Sequence, residues 1–177
     1  MTRARTLHRE PRHPGWILGL LALSQVAVVA LWWRLGWQWG LPAMLATHLV
    51  VLWGTLHPRA APFCPALSRF PAVGRQVWLT IDDGPSDDTR PMLELLDRHG
   101  AKATFFLVGE LALARPELVR EIAERGHGTG NHSASHPDAH FWRLGPWRLE
   151  HEIGRNQSIL TAITGETPRW FRSVVGM

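Results

Sequence analysis

The sequence has little cysteine and little lysine: Cys64 and Lys102 are the only examples of each among its 177 residues. A single cysteine excludes an intramolecular disulfide and leaves the redox compartment open. The net charge of +4 therefore comes from arginine. Because no motif interleaves basic and aromatic residues, and because much of the arginine flanks apolar segments, we expect no nucleic-acid partner and favour a membrane surface.

Two long apolar stretches occupy most of the first 57 residues. Residues 16–33 carry no charge, and as a helix they would extend about 27 Å, close to the hydrocarbon thickness of a bilayer. A second apolar stretch follows at 35–56, with tryptophans near the ends of both. We therefore expect a transmembrane hairpin over 16–56, after a basic tail at 1–15 and before a proline-rich linker at 57–74.

This organisation predicts a multi-pass protein of the inner cell membrane. A cleaved signal peptide is the alternative, and the second apolar stretch argues against it. Arginines on both outer flanks of the hairpin predict that its two ends face the cytoplasm. The side on which the remaining domain lies stays open.

Residues 75–177 alternate between strand-like and helix-like patterns, which predicts an α/β fold with a parallel sheet or barrel. In such folds, functional residues gather at the carboxyl ends of the strands. We expect strands at 76–81, at 102–108, just before His132 and at 169–175, with helices near 88–99, 115–125 and 147–164.

Two adjacent carboxylates, Asp82 and Asp83, stand at the end of the first of these strands. His132 and His136 follow, four residues apart, a spacing that places both on one face if the segment makes a helical turn. One carboxylate and two neutral imidazoles make a suitable ligand set for a divalent metal with open water positions. The other carboxylate is free to act as a base on a bound water.

Three motifs in residues 75–177 resemble those of the polysaccharide deacetylase family, also called the NodB-homology domain or carbohydrate esterase family 4. Residues 80–85 read TIDDGP against the family's T-F-D-D-G-P, and residues 132–136 read HSASH against H-[ST]-x-x-H. Residues 171–176, FRSVVG, keep the arginine and glycine of R-x-P-x-G but have Val174 in place of proline.

The resemblance implies a partial distorted (β/α) barrel and a hydrolase that removes N-acetyl groups from an amino-sugar glycan. The expected membrane tether favours a lipid-linked or membrane-proximal sugar as the substrate. It implies that Asp83, His132 and His136 bind Zn²⁺ or a similar ion, and that Asp82 is the catalytic base. Arg172 would orient the Asp82 carboxylate. A backbone N–H near Val175 would contribute to an oxyanion hole.

Two alternatives accompany this interpretation. The family's later motifs, including a histidine that acts as general acid, do not occur before Met177, so we expect a C-terminally truncated domain. A truncated domain without that acid would be a catalytically inactive, deacetylase-like membrane protein. The second alternative is O-deacetylation by the same site.

Overall fold

The computed structural model describes residues 16–56 and 74–174. The chain divides into two compact units, Met1–Gly74 and Arg75–Met177. The predicted basic tail, nearly all of the predicted linker and the predicted oxyanion contact near Val175 lie outside the described residues.

The first unit contains two helices, α1 (Trp16–Leu35) and α2 (Trp37–Leu56), which pack against each other. Gly36 joins them with a φ of +89°, a conformation that favours glycine. Gln25 Nε2 donates a hydrogen bond across the pair to Thr47 Oγ1 at 3.2 Å. In the part of the chain that is described, no helix combines the length and apolar character needed to cross a membrane, so the expected transmembrane hairpin is not supported.

The second unit is built on a three-stranded parallel sheet, which confirms the predicted α/β class. Its strands are β1 (Leu79–Gly84), β2 (Ala103–Leu107) and β3 (Gly128–Asn131), hydrogen-bonded in the order β1-β2-β3. Every residue of β2 is buried, as expected for a central parallel strand covered on both faces. The carboxyl ends of all three strands meet at one edge.

Helices connect the strands and cover the sheet. They are α3 (Thr89–Arg98), α4 (Gly109–Ala114), α5 (Pro116–Glu124) and α6 (Pro146–Thr164), with a 3₁₀ segment at Asp138–Arg143. Both α5 and α6 begin with proline, whose missing N–H needs no partner at a first helical position. Gly165, with a φ of +76°, ends α6.

The core lies between the sheet and these helices. It consists of large apolar side chains that are almost fully buried, contributed by α3, β2, α5 and α6: Leu93, Leu96, Phe105, Leu107, Val119, Ile122 and Leu160. On α3 and α5 the buried residues recur three or four apart, which is the spacing of one helical face. This packing fixes the strand ends that present the polar residues.

The predicted fourth strand at 169–175 is wrong as a full strand. Among the described residues it is a single parallel bridge between Asn131 and Phe171. The Asn131 N–H donates to the Trp170 carbonyl at 2.8 Å, and the Arg172 N–H donates to the Asn131 carbonyl at 3.0 Å. The strand pairing does not continue beyond this point, because the Arg172 carbonyl accepts a hydrogen bond from His132 Nδ1 at 2.8 Å.

Candidate active site

The Asp83 carboxylate lies between the two motif histidines. Its Oδ1 is 3.1 Å from His132 Nε2 and 3.0 Å from His136 Nε2. The pairing of β1 with β2 shifts between Ile81 and Gly84, and Asp83 has a φ of +63° within that irregularity. The irregularity therefore falls at the residue whose carboxylate reaches His132, directly after β3.

The two histidines lie on a loop, so the helical turn that would have placed both on one face does not form. His132 directly follows β3, and its N–H donates to the Leu107 carbonyl of β2 at 3.0 Å. Ser133 has a φ of +67° and His136 a φ of +51°, left-handed values that no α-helix contains. The loop nevertheless brings the two imidazole rings to 5.0 Å between centroids. His132 is buried, and His136 is partly exposed.

Hydrogen bonds to the other ring nitrogens determine what His132 and His136 present to Asp83. His132 Nδ1 is 2.8 Å from the Arg172 carbonyl, which can only accept, so this nitrogen carries the proton. His136 Nδ1 is 2.5 Å from the Asp138 carboxylate and carries a proton for the same reason. In the neutral rings both Nε2 atoms then carry a lone pair and no proton, and both face Asp83 Oδ1.

Three electron-pair donors that converge without a proton between them repel one another unless a cation lies among them. The donor atoms of Asp83, His132 and His136 all lie within 4.8 Å of one another. Two imidazole nitrogens and one carboxylate oxygen are an established ligand set for Zn²⁺ and for other divalent transition metals. The residues present therefore fit a divalent metal.

The second carboxylate, Asp82, has a different partner. Arg172 Nη1 donates to Asp82 Oδ1 at 2.7 Å, lies 3.0 Å from Oδ2, and also donates to Thr80 Oγ1 at 2.9 Å. The guanidinium carbon stands 4.2 Å from the centroid of the Phe106 ring, a cation–π distance. The Asp82 carboxylate thus pairs with the Arg172 guanidinium, whereas the Asp83 carboxylate faces the two histidines.

Sequence reasoning missed the residues that support the loop. Asp138 orients His136, and its position two residues beyond the motif was the only available signal. Asn131 Oδ1 accepts from the Ser133 N–H at 3.0 Å, and Asn156 Nδ2 donates to the same oxygen at 2.9 Å. The Glu152 carboxylate accepts from the N–H groups of Ala134 and Ser135. Asn156 and Glu152 lie on α6, where no motif marks them.

His127 is not part of this site. It is buried directly before β3, its Nδ1 accepts from the Ala103 N–H at 3.3 Å, and its ring packs edge-on against Phe105. Burial, with a smaller contribution from Lys102, lowers the pKa of His127 below its ordinary value. A neutral histidine in the core is consistent with a structural role.

The fold and this arrangement of carboxylates and histidines match a known family. Residues 71–176 match the family model described as "Polysaccharide deacetylase", and the chain belongs to that family. It is 38% identical over 102 residues to a peptidoglycan-N-acetylglucosamine deacetylase of Bacillus cereus, covering 57% of this chain and 36% of the relative. It is 35% identical over 105 residues to a chitooligosaccharide deacetylase of Bradyrhizobium, covering 58% of this chain and 47% of the relative.

A solved structure gives the same result. A family 4 carbohydrate esterase from Streptomyces lividans, in complex with acetate, superposes with a TM-score of 0.56 at 39% identity, covering 60% of this chain and 54% of that one. The chain spans between about a third and a half of the length of the two curated relatives.

Proposed function

We propose that this chain is a metal-dependent hydrolase that removes N-acetyl groups from N-acetylglucosamine-containing polysaccharides. The observation that carries the proposal is the convergence of three possible ligand atoms, on Asp83, His132 and His136, beside a second carboxylate held by an arginine. The relatives' names supply the substrate class, since they are deacetylases of peptidoglycan and of chitooligosaccharides.

Asp83, His132 and His136 would hold the ion, and we propose Zn²⁺. When bound, such an ion supplies a Lewis acid for the acetyl carbonyl and lowers the pKa of a water molecule. The protein's contribution is the fixed tautomer of each imidazole, which keeps both Nε2 atoms free of protons. Because His132 is buried, the surrounding packing limits rotation of its imidazole ring away from Asp83.

Asp82 would serve as the general base in this reaction. A water adds to the acetyl carbonyl carbon as Asp82 takes the proton that the water loses. The C–N bond then breaks as the leaving nitrogen gains one proton, which balances the proton that Asp82 took, and the products are acetate and a free amine. Arg172 would position the Asp82 carboxylate through contacts of 2.7 and 3.0 Å to its two oxygens, which limit its rotation. Thr80 and Phe106 hold the guanidinium from two further sides.

Acetate release from N-acetylglucosamine oligomers, measured on the zinc-supplemented full chain, tests this proposal. We expect Asp82→Asn to lose about 10²–10⁴-fold in kcat, the usual contribution of a general base, while zinc binding is kept. Asp88→Asn is the matched control, because it makes the same change at an exposed carboxylate at the start of α3, and it should behave as wild type.

Two outcomes would contradict the proposal. A zinc-loaded wild type that releases no acetate would favour the inactive, deacetylase-like alternative. Release from O-acetylated but not from N-acetylated oligomers would instead favour O-deacetylation by the same residues.

We also propose that the protein associates with a membrane, without assigning the side. Apolar side chains that α1 and α2 leave exposed, including Leu23, Val29, Trp33 and Val50, support this location. A substrate near or linked to lipid would then be accessible. Fractionation of cells tests the proposal: recovery of the chain in the soluble fraction would contradict it.

A further inference from the structure

The loop that carries the two histidines adopts an unfavourable backbone conformation. Two of its residues that are not glycine, Ser133 and His136, have left-handed φ values of +67° and +51°. A loop of this kind persists only when its surroundings hold it in place. The groups that hold it are therefore candidates for control over the metal-binding geometry.

Each backbone N–H from residue 131 to residue 136 donates a hydrogen bond within the protein. The acceptors, in chain order, are the Trp170 and Leu107 carbonyls, Asn131 Oδ1, Glu152 Oε2 twice, and Ser133 Oγ. On the other side of the loop, the Ser133 and Ala134 carbonyls accept from the N–H groups of Gly109 and Glu110 at 3.0 and 2.8 Å. The loop is thus fixed between α4 and α6.

Glu152, on α6, holds the centre of the loop through three hydrogen bonds to Ala134 and Ser135, which we call the clamp. One carboxylate oxygen accepts from the consecutive N–H groups of Ala134 and Ser135 at 3.0 and 2.8 Å, and the other accepts from Ser135 Oγ at 2.8 Å. These three contacts lie between the two histidines in sequence. The side chain is partly buried, which increases the cost of leaving the two N–H groups without an acceptor.

The two histidines depend on this clamp unequally. His132 has two anchors of its own, its N–H on the Leu107 carbonyl and its Nδ1 on the Arg172 carbonyl. His136 follows the clamped segment, and both of its partners lie in the same stretch of chain: its N–H donates to Ser133 Oγ at 3.2 Å and its Nδ1 bonds to Asp138. A change at the centre of the loop should therefore displace His136 relative to Asp83 and His132.

We propose that Glu152 is a positioning residue that sets the distance of His136 from Asp83 and His132, and thereby the affinity of the site for its metal. This inference rests on the proposed metal site. The hydrogen bonds of Glu152 go to Ala134 and Ser135, so we expect its role to depend on hydrogen-bond geometry and not on ligation or on its charge.

Three variants of the full chain separate geometry from charge. Glu152→Ala removes all three contacts. Glu152→Gln removes the charge but keeps the shape, since its amide oxygen can accept both N–H groups and its NH₂ can donate to Ser135 Oγ. Glu150→Ala is the control, because it removes an exposed carboxylate from the same helix.

Zinc affinity, measured by competition with a chromophoric chelator, is the first readout. We expect at least a 10-fold loss in Glu152→Ala, on the scale of other losses of outer-shell support, and near-wild-type affinity in Glu152→Gln and Glu150→Ala. Amide hydrogen exchange in the metal-free chain is the second readout. Exchange should accelerate at Ala134 and Ser135 in Glu152→Ala while Phe105 in β2 stays protected.

Wild-type zinc affinity in a folded Glu152→Ala variant would overturn the inference, as would equal losses in Glu152→Ala and Glu152→Gln. If Glu152→Ala does not fold, Glu152→Asp replaces it, because it keeps the charge and withdraws the carboxylate; undiminished affinity there would also overturn the inference. If the wild type itself binds no zinc, the metal site is what fails, and exchange at Ala134 and Ser135 still decides whether Glu152 holds the loop.

Discussion

The contact between Arg172 and Asp82 allows a quantitative test of how the site is held. Arg172→Ala removes an ion pair, a hydrogen bond to Thr80 and a cation–π contact with Phe106. The two charged side chains are 35% and 37% exposed, so the ion pair should contribute about 0.2–1 kcal/mol, as partly solvated pairs do. The hydrogen bond adds about 1 kcal/mol and the cation–π contact about 0.5–1 kcal/mol.

Arg172→Ala should therefore lower the free energy of unfolding of the second unit by about 2 kcal/mol. A double-mutant cycle with Asp82→Ala should give a coupling energy of about 0.5–1 kcal/mol, the upper part of the range for such pairs because Nη1 contacts both carboxylate oxygens. The assay is amide exchange of β2 and β3 in the full chain at increasing urea, which reports on the sheet alone. A parallel cycle of Arg172→Ala with the exposed Asp88→Ala should give no coupling beyond about 0.5 kcal/mol.

A coupling energy for Arg172 and Asp82 that is no larger than the control would refute the reasoning. In that case the guanidinium does not hold the carboxylate in solution, and Arg172 contributes only through Thr80 and Phe106. The proposed positioning of the general base would then lose its structural support.

Two further predictions concern Asp138 and His127. Asp138→Ala should weaken zinc binding about 10-fold, the lower end for outer-shell losses because Asp138 is 74% exposed, whereas Asp88→Ala should have no effect in the same titration. His127 has a folded pKa below its ordinary value of 6.5, so the unfolded chain binds the proton more readily and stability should fall as the pH drops below about 6.5. Urea unfolding at pH 7 and 5 should show a smaller fall in His127→Gln than in wild type or in the exposed-residue control His99→Gln, and an equal fall would contradict this.

The α/β class could be predicted from the sequence because the strand patterns are short, apolar and separated by amphipathic segments. The completely buried Ala103–Leu107 is the clearest example. The order of motifs along parallel strands also predicted that Asp83 and His132 would meet at one sheet edge. That expectation required only that the carboxyl ends of parallel strands lie together.

The local backbone of the site could not be predicted in the same way. A spacing of four indicates a helical turn, but Ser133 and His136 adopt left-handed conformations that propensities assign mainly to glycine and asparagine. Tertiary contacts from Glu152 and Asn131 stabilise these conformations. The Asn131 contact spans two positions, but the Glu152 contacts link residues 18 and 17 positions apart, and no local pattern encodes those.

The strand predicted at 169–175 failed for a related reason. Its residues have suitable propensity, but the Arg172 carbonyl bonds to His132 and the Arg172 side chain bonds to Asp82. Hydrogen-bonding groups that would extend a ladder are used to orient the site instead. The departure from a regular strand therefore occurs at the residues proposed to act in catalysis.

X-ray absorption spectroscopy of the zinc-loaded full chain tests the central claim most directly, because it identifies the atoms bound to the ion. We predict two imidazole nitrogens at about 2.0–2.1 Å with oxygen in the remaining positions, and one imidazole in His132→Ala. An unchanged imidazole count in His132→Ala, or a sulfur at about 2.3 Å contributed by Cys64, would contradict the assignment of Asp83, His132 and His136 as the metal site.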